Sequence, residues 1–204
     1  MAKISLLLWD VGGVILSNAW DKADREEAAV HFELDAEDFE RRHQEVDAEF
    51  ETGRMDSDRY LATTVFYTPR EFTPEQFREF MRARSTAIRP SLELARRLRE
   101  QGRYVMAALN NESRELNEYR IGAFDLHAVF HVFFSSCYTG RRKPDPDAYQ
   151  YALQITQRDP DESLFLDDRP ENIAAAARLG LRTILVRDPR QLGEELALAG
   201  VAAG

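Results

Sequence analysis

Cysteine is nearly missing from this chain: Cys137 stands alone among 204 residues. No intrachain disulfide is available, so the fold must rest on its core, as in proteins of a reducing compartment. Long hydrophobic runs are missing too, and nothing approaches the roughly 20 apolar residues of a membrane-spanning helix. The short apolar run after Lys3 is cut by Asp10, and no small-residue cleavage site follows. A signal peptide is therefore not expected, a cytoplasmic location is, and no membrane partner is called for. Basic charge is in deficit: 27 Lys and Arg face 36 Asp and Glu, a net charge of −9. Phosphate backbones need clustered Lys and Arg, and no such patch stands out, which argues against nucleic acid as a partner. There is no internal repeat and no low-complexity tract. What remains is 44% hydrophobic and 31% charged, a globular composition with room for one good core and a smaller second domain.

The informative stretch is Leu6-Leu7-Leu8-Trp9-Asp10-Val11-Gly12-Gly13-Val14-Ile15-Leu16. A short apolar run bounded by turn signals reads as a buried strand of a parallel sheet. Ligands in such sheets bind beyond the carboxyl ends of the strands, which is where Asp10 falls. Gly12 and Gly13 permit a tight turn and close backbone approach to a ligand.

From Ser17 to Ala87 the texture turns helical. Four amphipathic segments are expected: Trp20 to Phe32, Asp35 to Phe50, Ser57 to Tyr67 and Thr73 to Ala87. Asp35, Asp56 or Ser57, and Thr73 are their caps, and Pro74 sits at a first helical position. This block holds 18 acidic and 10 basic residues, nearly the whole net charge. An acidic block is a poor grip for an anion, so an anionic substrate must be held elsewhere. Along the second segment Ala36, Phe39, His43, Val46 and Phe50 share a face. His43 reads first as a packed, hydrogen-bonded core histidine and second as a group able to lend a proton. Glu51-Thr52-Gly53-Arg54 is a helix connector or a loop that reaches into a site.

Beyond Pro90 the pattern alternates. Ser91 to Gln101 reads as a helix capped by Ser91, and Arg103 to Leu109 as a strand ending at Asn110-Asn111. A helix from Arg114 to Ile121 and a strand from Val129 to Phe134 follow. The loop Gly140 to Pro146 precedes a helix from Asp147. Ser163 to Leu166 is a strand ending in Asp167-Asp168, Pro170 to Leu179 a helix, Arg182 to Val186 a strand and Arg190 to Leu198 a last helix. Such alternation implies a doubly wound parallel α/β sheet with helices on both faces.

Four places then put polar groups at one edge of that sheet: Asp10, Asn110, Lys143 and Asp167-Asp168. Carboxylates can hold Mg²⁺ through oxygen. Asp10 can attack phosphorus, and Lys143 can neutralise a transferring phosphoryl group. Taken singly, an Asp pair before a helix is also a cap, and a lysine before Pro144 is also a solvated loop residue. Their order and spacing together favour chemistry. Cys137 reads as a small buried hydrophobe, and Trp9 packs under the site.

That arrangement resembles the haloacid dehalogenase superfamily, over nearly the whole chain. Trp9-Asp10-Val11-Gly12-Gly13-Val14 is similar to the first motif and Leu109-Asn110-Asn111 falls at the second. Arg142-Lys143-Pro144-Asp145 resembles the third, and Phe165-Leu166-Asp167-Asp168-Arg169-Pro170-Glu171-Asn172-Ile173 the fourth. The most similar subgroup contains small sugar-phosphate phosphatases and the phosphatase domain of soluble epoxide hydrolase. The resemblance implies a Rossmann-like core, residues 1–16 and 88–204, with a four-helix cap inserted at 17–87. It implies an Mg²⁺-dependent phosphatase acting on a small phosphorylated metabolite. Asp10 is then the nucleophile, with Lys143, Asn110 and Asn111 on the phosphoryl oxygens. Asp10, Asp168 and the Gly12 carbonyl hold the metal, and Asp167 stands behind them or ligates through water.

Two positions depart from the family pattern. Family phosphatases usually carry an acid two residues after the nucleophile, where this chain has Gly12. They usually have Ser or Thr where this chain has Asn110, whose amide can still donate to a phosphate oxygen. The loss at Gly12 keeps open a non-catalytic member that binds a phosphorylated ligand or a protein. Hydrolytic dehalogenation also needs no second acid. Asp167-Asp168 weighs against it, because carboxylates crowded around Asp10 repel one another unless a cation sits between them.

Overall fold

A computed structural model describes residues 2–202. The sheet has five parallel strands: β1 (Leu6–Trp9), β2 (Val105–Ala108), β3 (Val132–Phe133), β4 (Ser163–Asp167) and β5 (Arg182–Leu185), in the order β3-β2-β1-β4-β5. β1 lies at the centre, which explains its unbroken apolar run. Leu7 and Trp9 pack into the core cluster on one face, Leu6 and Leu8 into the cluster on the other. Each fully buried Leu contributes about 1.5–3 kcal/mol.

Register does the rest. Trp9 lies opposite Ala108 on one side and Leu166 on the other. Asp10, Leu109 and Asp167, each the next residue along, therefore finish level at the carboxyl edge. The Asp10 N–H donates to the Leu166 carbonyl at 2.8 Å, and the Leu109 N–H to that of Trp9 at 2.8 Å.

Four helices lie between β1 and the rest of the sheet: α1 (Lys22–His31), α2 (Ala36–Glu51), α3 (Ser57–Thr64) and α4 (Pro74–Ala83). Asp21, Asp35, Asp56 and Thr73 cap them, each side chain accepting from a backbone N–H in the first turn. They share a core of their own around Trp20, Phe39, Phe50, Tyr60 and Phe77, which also takes in Leu116. Phe50 and Tyr60 stack with ring centroids 4.0 Å apart.

The remaining helices are α5 (Arg89–Glu100), α6 (Arg114–Ala123), α7 (Ser136–Thr139), α8 (Pro146–Thr156), α9 (Pro170–Arg178) and α10 (Leu192–Leu198). Several expected boundaries move. α4 stops at Ala83 rather than Ala87, because the chain beyond it pairs back on the segment leaving β1. Leu16 bridges Ala87 antiparallel, the Ser17 N–H donates to the Thr86 carbonyl at 2.8 Å, and the Ile88 N–H to that of Ile15 at 2.9 Å. Ser91 does not cap α5: the helix opens at Arg89 with Pro90 in its first turn, and Ser91 is buried inside it. Pro90 starts a helix because its missing N–H is one that the first turn leaves free in any case. β3 covers only Val132–Phe133, since as an edge strand it meets β2 alone; Val129 and Phe130 are buried in the core just ahead of it. Helix α7 was not expected at all. Among the described residues no helix is long and apolar enough to cross a membrane.

Candidate active site

β1 delivers Asp10 to the edge of the sheet, and a tight turn follows in which the Ile15 and Leu16 N–H groups both donate to the Val11 carbonyl. The backbone of Gly13 is left-handed, at φ +69°, and a Cβ there would collide with the Asp168 carboxylate. Glycine at 13 is thus what lets β4's acid lie against β1's turn. At Gly12 the backbone is ordinary, but a Cβ would stand 2.9 Å from Asn18 Oδ1. Asn18 fills the space that a side chain at 12 would need, and donates to Asp168 Oδ2 at 3.2 Å.

Lys143 is the centre of the site and is almost fully buried. Its ammonium reaches Asp10 Oδ1 at 2.9 Å and Asp167 Oδ2 at 2.6 Å. Burial works against its charge, but Asp10 and Asp167 outweigh that and hold its pKa above the ordinary lysine value. Asp10 feels the converse balance. Burial pushes its carboxyl up to about 7, Lys143 pulls it back, and Asp167 and Asp168 add to the rise. Asp167 is fully buried and saturated with donors. It accepts from the Arg169 N–H at 2.8 Å and from Asn172 Nδ2 at 3.0 Å on each oxygen, besides Lys143. It is built to aim the lysine.

Oxygens of Asp10, Asp167 and Asp168 lie within 4.8 Å of one another. Asp168 Oδ1 is buried and has no hydrogen-bond partner. A hard cation bound by oxygen fits this set: it would satisfy the orphaned atom and relieve the crowding of three carboxylates.

The two asparagines after β2 have different positions. Asn111 clasps the lysine loop, donating to the Lys143 carbonyl at 2.8 Å and accepting its N–H at 2.9 Å. Asn110 is turned inward: it donates to Asn117 Oδ1 at 3.1 Å and accepts from Ser135 Oγ at 2.8 Å. Asn111 walls the cavity described next, and Asn110 does not.

A cavity of about 200 Å³ lies between sheet edge and helices. Its floor includes Asp10, Gly12, Asn111 and Lys143, and its roof Trp20, His43, Phe50 and Glu51. His43 is the packed histidine that the sequence put first, although it also borders the cavity. Its Nδ1 lies 3.0 Å from the Tyr60 hydroxyl. Tyr60 already accepts from Trp20 Nε1 at 2.9 Å, so its own proton points to His43 Nδ1. Burial lowers the imidazole to about 4, which leaves it neutral and without a proton to lend.

Sequence reasoning left Asn172, Asn18 and the Glu112–Arg120 pair without roles. Asn172 follows Asp167 by five residues in the first turn of α9, a spacing that returns its amide to the strand end. Glu112 and Arg120, 2.8 Å apart and both buried, have no signature in the sequence. Arg120 also donates to the Ser17 carbonyl at 2.6 Å, tying α6 to the segment that leaves β1. Cys137 is buried, and burial pushes its thiol up to about 12.

The end of α2 is pinned to the core at α7. Ser136 Oγ donates to the Glu51 carbonyl at 2.6 Å and accepts the Glu112 N–H at 3.0 Å. Gly53 is left-handed, at φ +70°, and so close to α7 that a Cβ would strike the Cys137 carbonyl oxygen. Gly53→Ala should cost at least the roughly 1–2 kcal/mol of a left-handed L-residue. For a chain of this size that lowers Tm by about 2–4 °C per kcal/mol. An unchanged melting curve would show that the connector is not docked in this way.

Comparison with known proteins agrees with this geometry. A family profile described as hydrolase, haloacid dehalogenase-like hydrolase, matches residues 4–180. A chloroplast flavin mononucleotide hydrolase of Arabidopsis thaliana is 27% identical over 98% of this chain and 79% of its own. Bifunctional epoxide hydrolase 2 of Rattus norvegicus is 34% identical over 60% of this chain, which spans only 22% of that protein. A HAD family enzyme of Bacteroides thetaiotaomicron, solved with magnesium and inorganic phosphate, superposes with a TM-score of 0.77 at 21% identity. That alignment covers 93% of this chain and 98% of the other. The chain is therefore an enzyme of the haloacid dehalogenase-like hydrolase family.

Proposed function

We propose that the chain is an Mg²⁺-dependent phosphatase that hydrolyses a small phosphorylated metabolite through an aspartyl-phosphate on Asp10. One observation carries this reading: the buried ammonium of Lys143 sits between Asp10 and Asp167, and the third carboxylate clustered with them, Asp168, leaves Oδ1 unpaired. The relative named for flavin mononucleotide, itself a phosphate monoester, supports the substrate class. A cytoplasmic location goes with this reading, on the strength of the lone cysteine.

Asp10, Asp168 and the Gly12 carbonyl would hold the ion, with Asp167 behind them. Bound there, Mg²⁺ supplies positive charge to the carboxylates and to the phosphoryl oxygens. Asp10 attacks phosphorus in line with the departing oxygen. Lys143 balances charge on the phosphoryl group, and Asp167 with Asn172 keeps its ammonium in place. Asn111 fixes the loop that carries Lys143. Asn110, turned inward on Asn117 and Ser135, braces the end of β2 rather than meeting the phosphoryl oxygens as its place in the sequence suggested.

We divide the chain into a core, residues 1–16 and 88–204, and a cap, residues 17–87. The pairing of Leu16 and Ser17 with Thr86 and Ala87 supports a neck at those positions. The separate aromatic cluster of α1 to α4 supports a cap that packs as a unit.

The bare Gly12 favours a second reading, a non-catalytic member that only binds a phosphorylated ligand. Turnover of p-nitrophenyl phosphate with Mg²⁺, together with trapping of a phosphoryl mimic on Asp10, separates the two. The metal site has its own test. Asp147 is exposed on α8 and pairs with Arg141 at 2.8 Å, away from the cluster. By calorimetry, Asp168→Ala should weaken Mg²⁺ binding by more than the roughly 10–100-fold typical of losing even an outer-shell partner. Asp147→Ala should leave it unchanged; equal affinities in the two variants would place the metal elsewhere.

A further inference from the structure

In-line attack from Asp10 puts the departing oxygen on the far side of phosphorus, towards the roof of the cavity. An alkoxide leaves poorly without a proton, and the floor has none to give. Asp10 is the attacking group, Asp167 is saturated by Lys143, Asn172 and Arg169, and Gly12 has no side chain. Resting on the phosphatase reading above, we propose that Glu51, from the roof, protonates the departing oxygen and then activates the water that clears the enzyme.

Placement is the main ground. Glu51 ends α2, and its backbone is held on the core by Ser136 and by the close seat of Gly53. Glu51 lines the same cavity as Asp10 and Lys143. Oε2 lies 2.9 Å from Arg142 Nε but without the alignment of a hydrogen bond. Oε1 has no partner among the described residues. Glu171, also on the cavity wall, is open to solvent, and the remaining candidates are committed. Glu112 accepts from the Ser113 N–H at 2.9 Å and hydroxyl at 3.4 Å on one oxygen and from Arg120 at 2.8 Å on the other. Asp21 caps α1. His43 is neutral and donates no proton as an acid. Burial raises the Glu51 carboxyl above the ordinary range although Arg142 pulls it down. Asp47 on the same helix adds to the rise, and Arg169 and Lys143 oppose it; Glu112 also lies within electrostatic range.

The two half-reactions balance. An oxygen of Asp10 bonds to phosphorus as the ester P–O bond breaks. That electron pair stays on the departing oxygen, which takes the Glu51 proton and leaves as an alcohol. Water then attacks the aspartyl-phosphate and gives its proton to the Glu51 carboxylate. The bond between phosphorus and Asp10 breaks, its electron pair returns to the aspartate, and phosphate is released with Glu51 protonated again.

The test is a series of substituted phenyl phosphates, alike in shape and graded in the acidity of the phenol, assayed with Mg²⁺ in wild type and Glu51→Gln. Glutamine keeps an oxygen for Arg142 but has no proton to transfer. kcat/KM for 2,4-dinitrophenyl phosphate, whose phenolate leaves unaided, should stay within about 3-fold of wild type. Phenyl phosphate should lose about 10²–10⁴-fold, the contribution of a positioned acid. Wild-type turnover of phenyl phosphate should also fall as pH rises through the Glu51 titration, and that limb should be missing from Glu51→Gln. An equal loss across the series would make Glu51 a structural contact to Arg142 and overturn the inference, as would no loss at all. A wild type that turns over no member of the series overturns the phosphatase reading itself, before any substitution is compared.

Discussion

Asp10→Asn should lose turnover by about 10⁴-fold or more, the scale set by removing the nucleophile of a catalytic unit. The amide neither attacks phosphorus nor ligates Mg²⁺ well. The fold should survive and even gain. Asn at 10 removes one of three crowded carboxylates, yet leaves Lys143 its 2.6 Å contact with Asp167. The Tm of the metal-free variant should therefore match or exceed wild type, and its rise on adding Mg²⁺ should shrink. Steady-state kinetics on an aryl phosphate and paired melting curves check both halves. Wild-type activity in Asp10→Asn would dispose of the mechanism.

Lys143→Met should have the largest effect on stability. It leaves Asp10 and Asp167 buried beside each other with no cation between them. Removing one partner of a buried ion pair typically costs about 3–5 kcal/mol. The loss should depend on Mg²⁺. An ion at 100 times its Kd returns about 2.7 kcal/mol to a folded state that alone can bind it, and an ion beside Asp10 replaces part of the missing charge. Denaturant unfolding with and without Mg²⁺ separates these contributions. If the variant is as stable as wild type in chelator, the carboxylates are not held as charged groups around the lysine. Activity should fall in either condition, because Met cannot balance charge on the phosphoryl group.

The frame around these residues was legible in the sequence for a simple reason. A strand buried on both faces needs a solid apolar run, and Leu6–Trp9 is one. Leu164-Phe165-Leu166 repeats the pattern and ends, like β1, in an acid. Apolar content said less about where helices stop. Thr86 and Ala87 continue the helical texture of α4, but their backbone groups are claimed by Ile15 to Ser17, about seventy residues away. α7 was missed because four residues carry too little periodicity to register.

The immediate surroundings of the site were hidden by distance along the chain. Ser136 meets Glu51 across 85 residues, Arg120 meets Ser17 across 103, and Arg142 meets Asp47 across 95. None of these pairs has a local pattern, and each is fixed only when the sheet order brings its loops together. The inward turn of Asn110 is similar, since it depends on Asn117 one helix later and on Ser135 at the end of another strand.

The crossing at Leu16 and Ala87 has a consequence for how such a chain can diversify. The polypeptide leaves the sheet and re-enters it through neighbouring residues, so the excursion between them is a closed loop as seen by the core. The entropy of closing a loop grows only with the logarithm of its length, by about 0.6 kcal/mol for each doubling. Lengthening, shortening or exchanging the whole excursion is therefore nearly invisible to the strands beneath. Change in residues 17–87 can alter what enters the cavity from above while the sheet edge that carries Asp10 and Asp167 keeps its geometry.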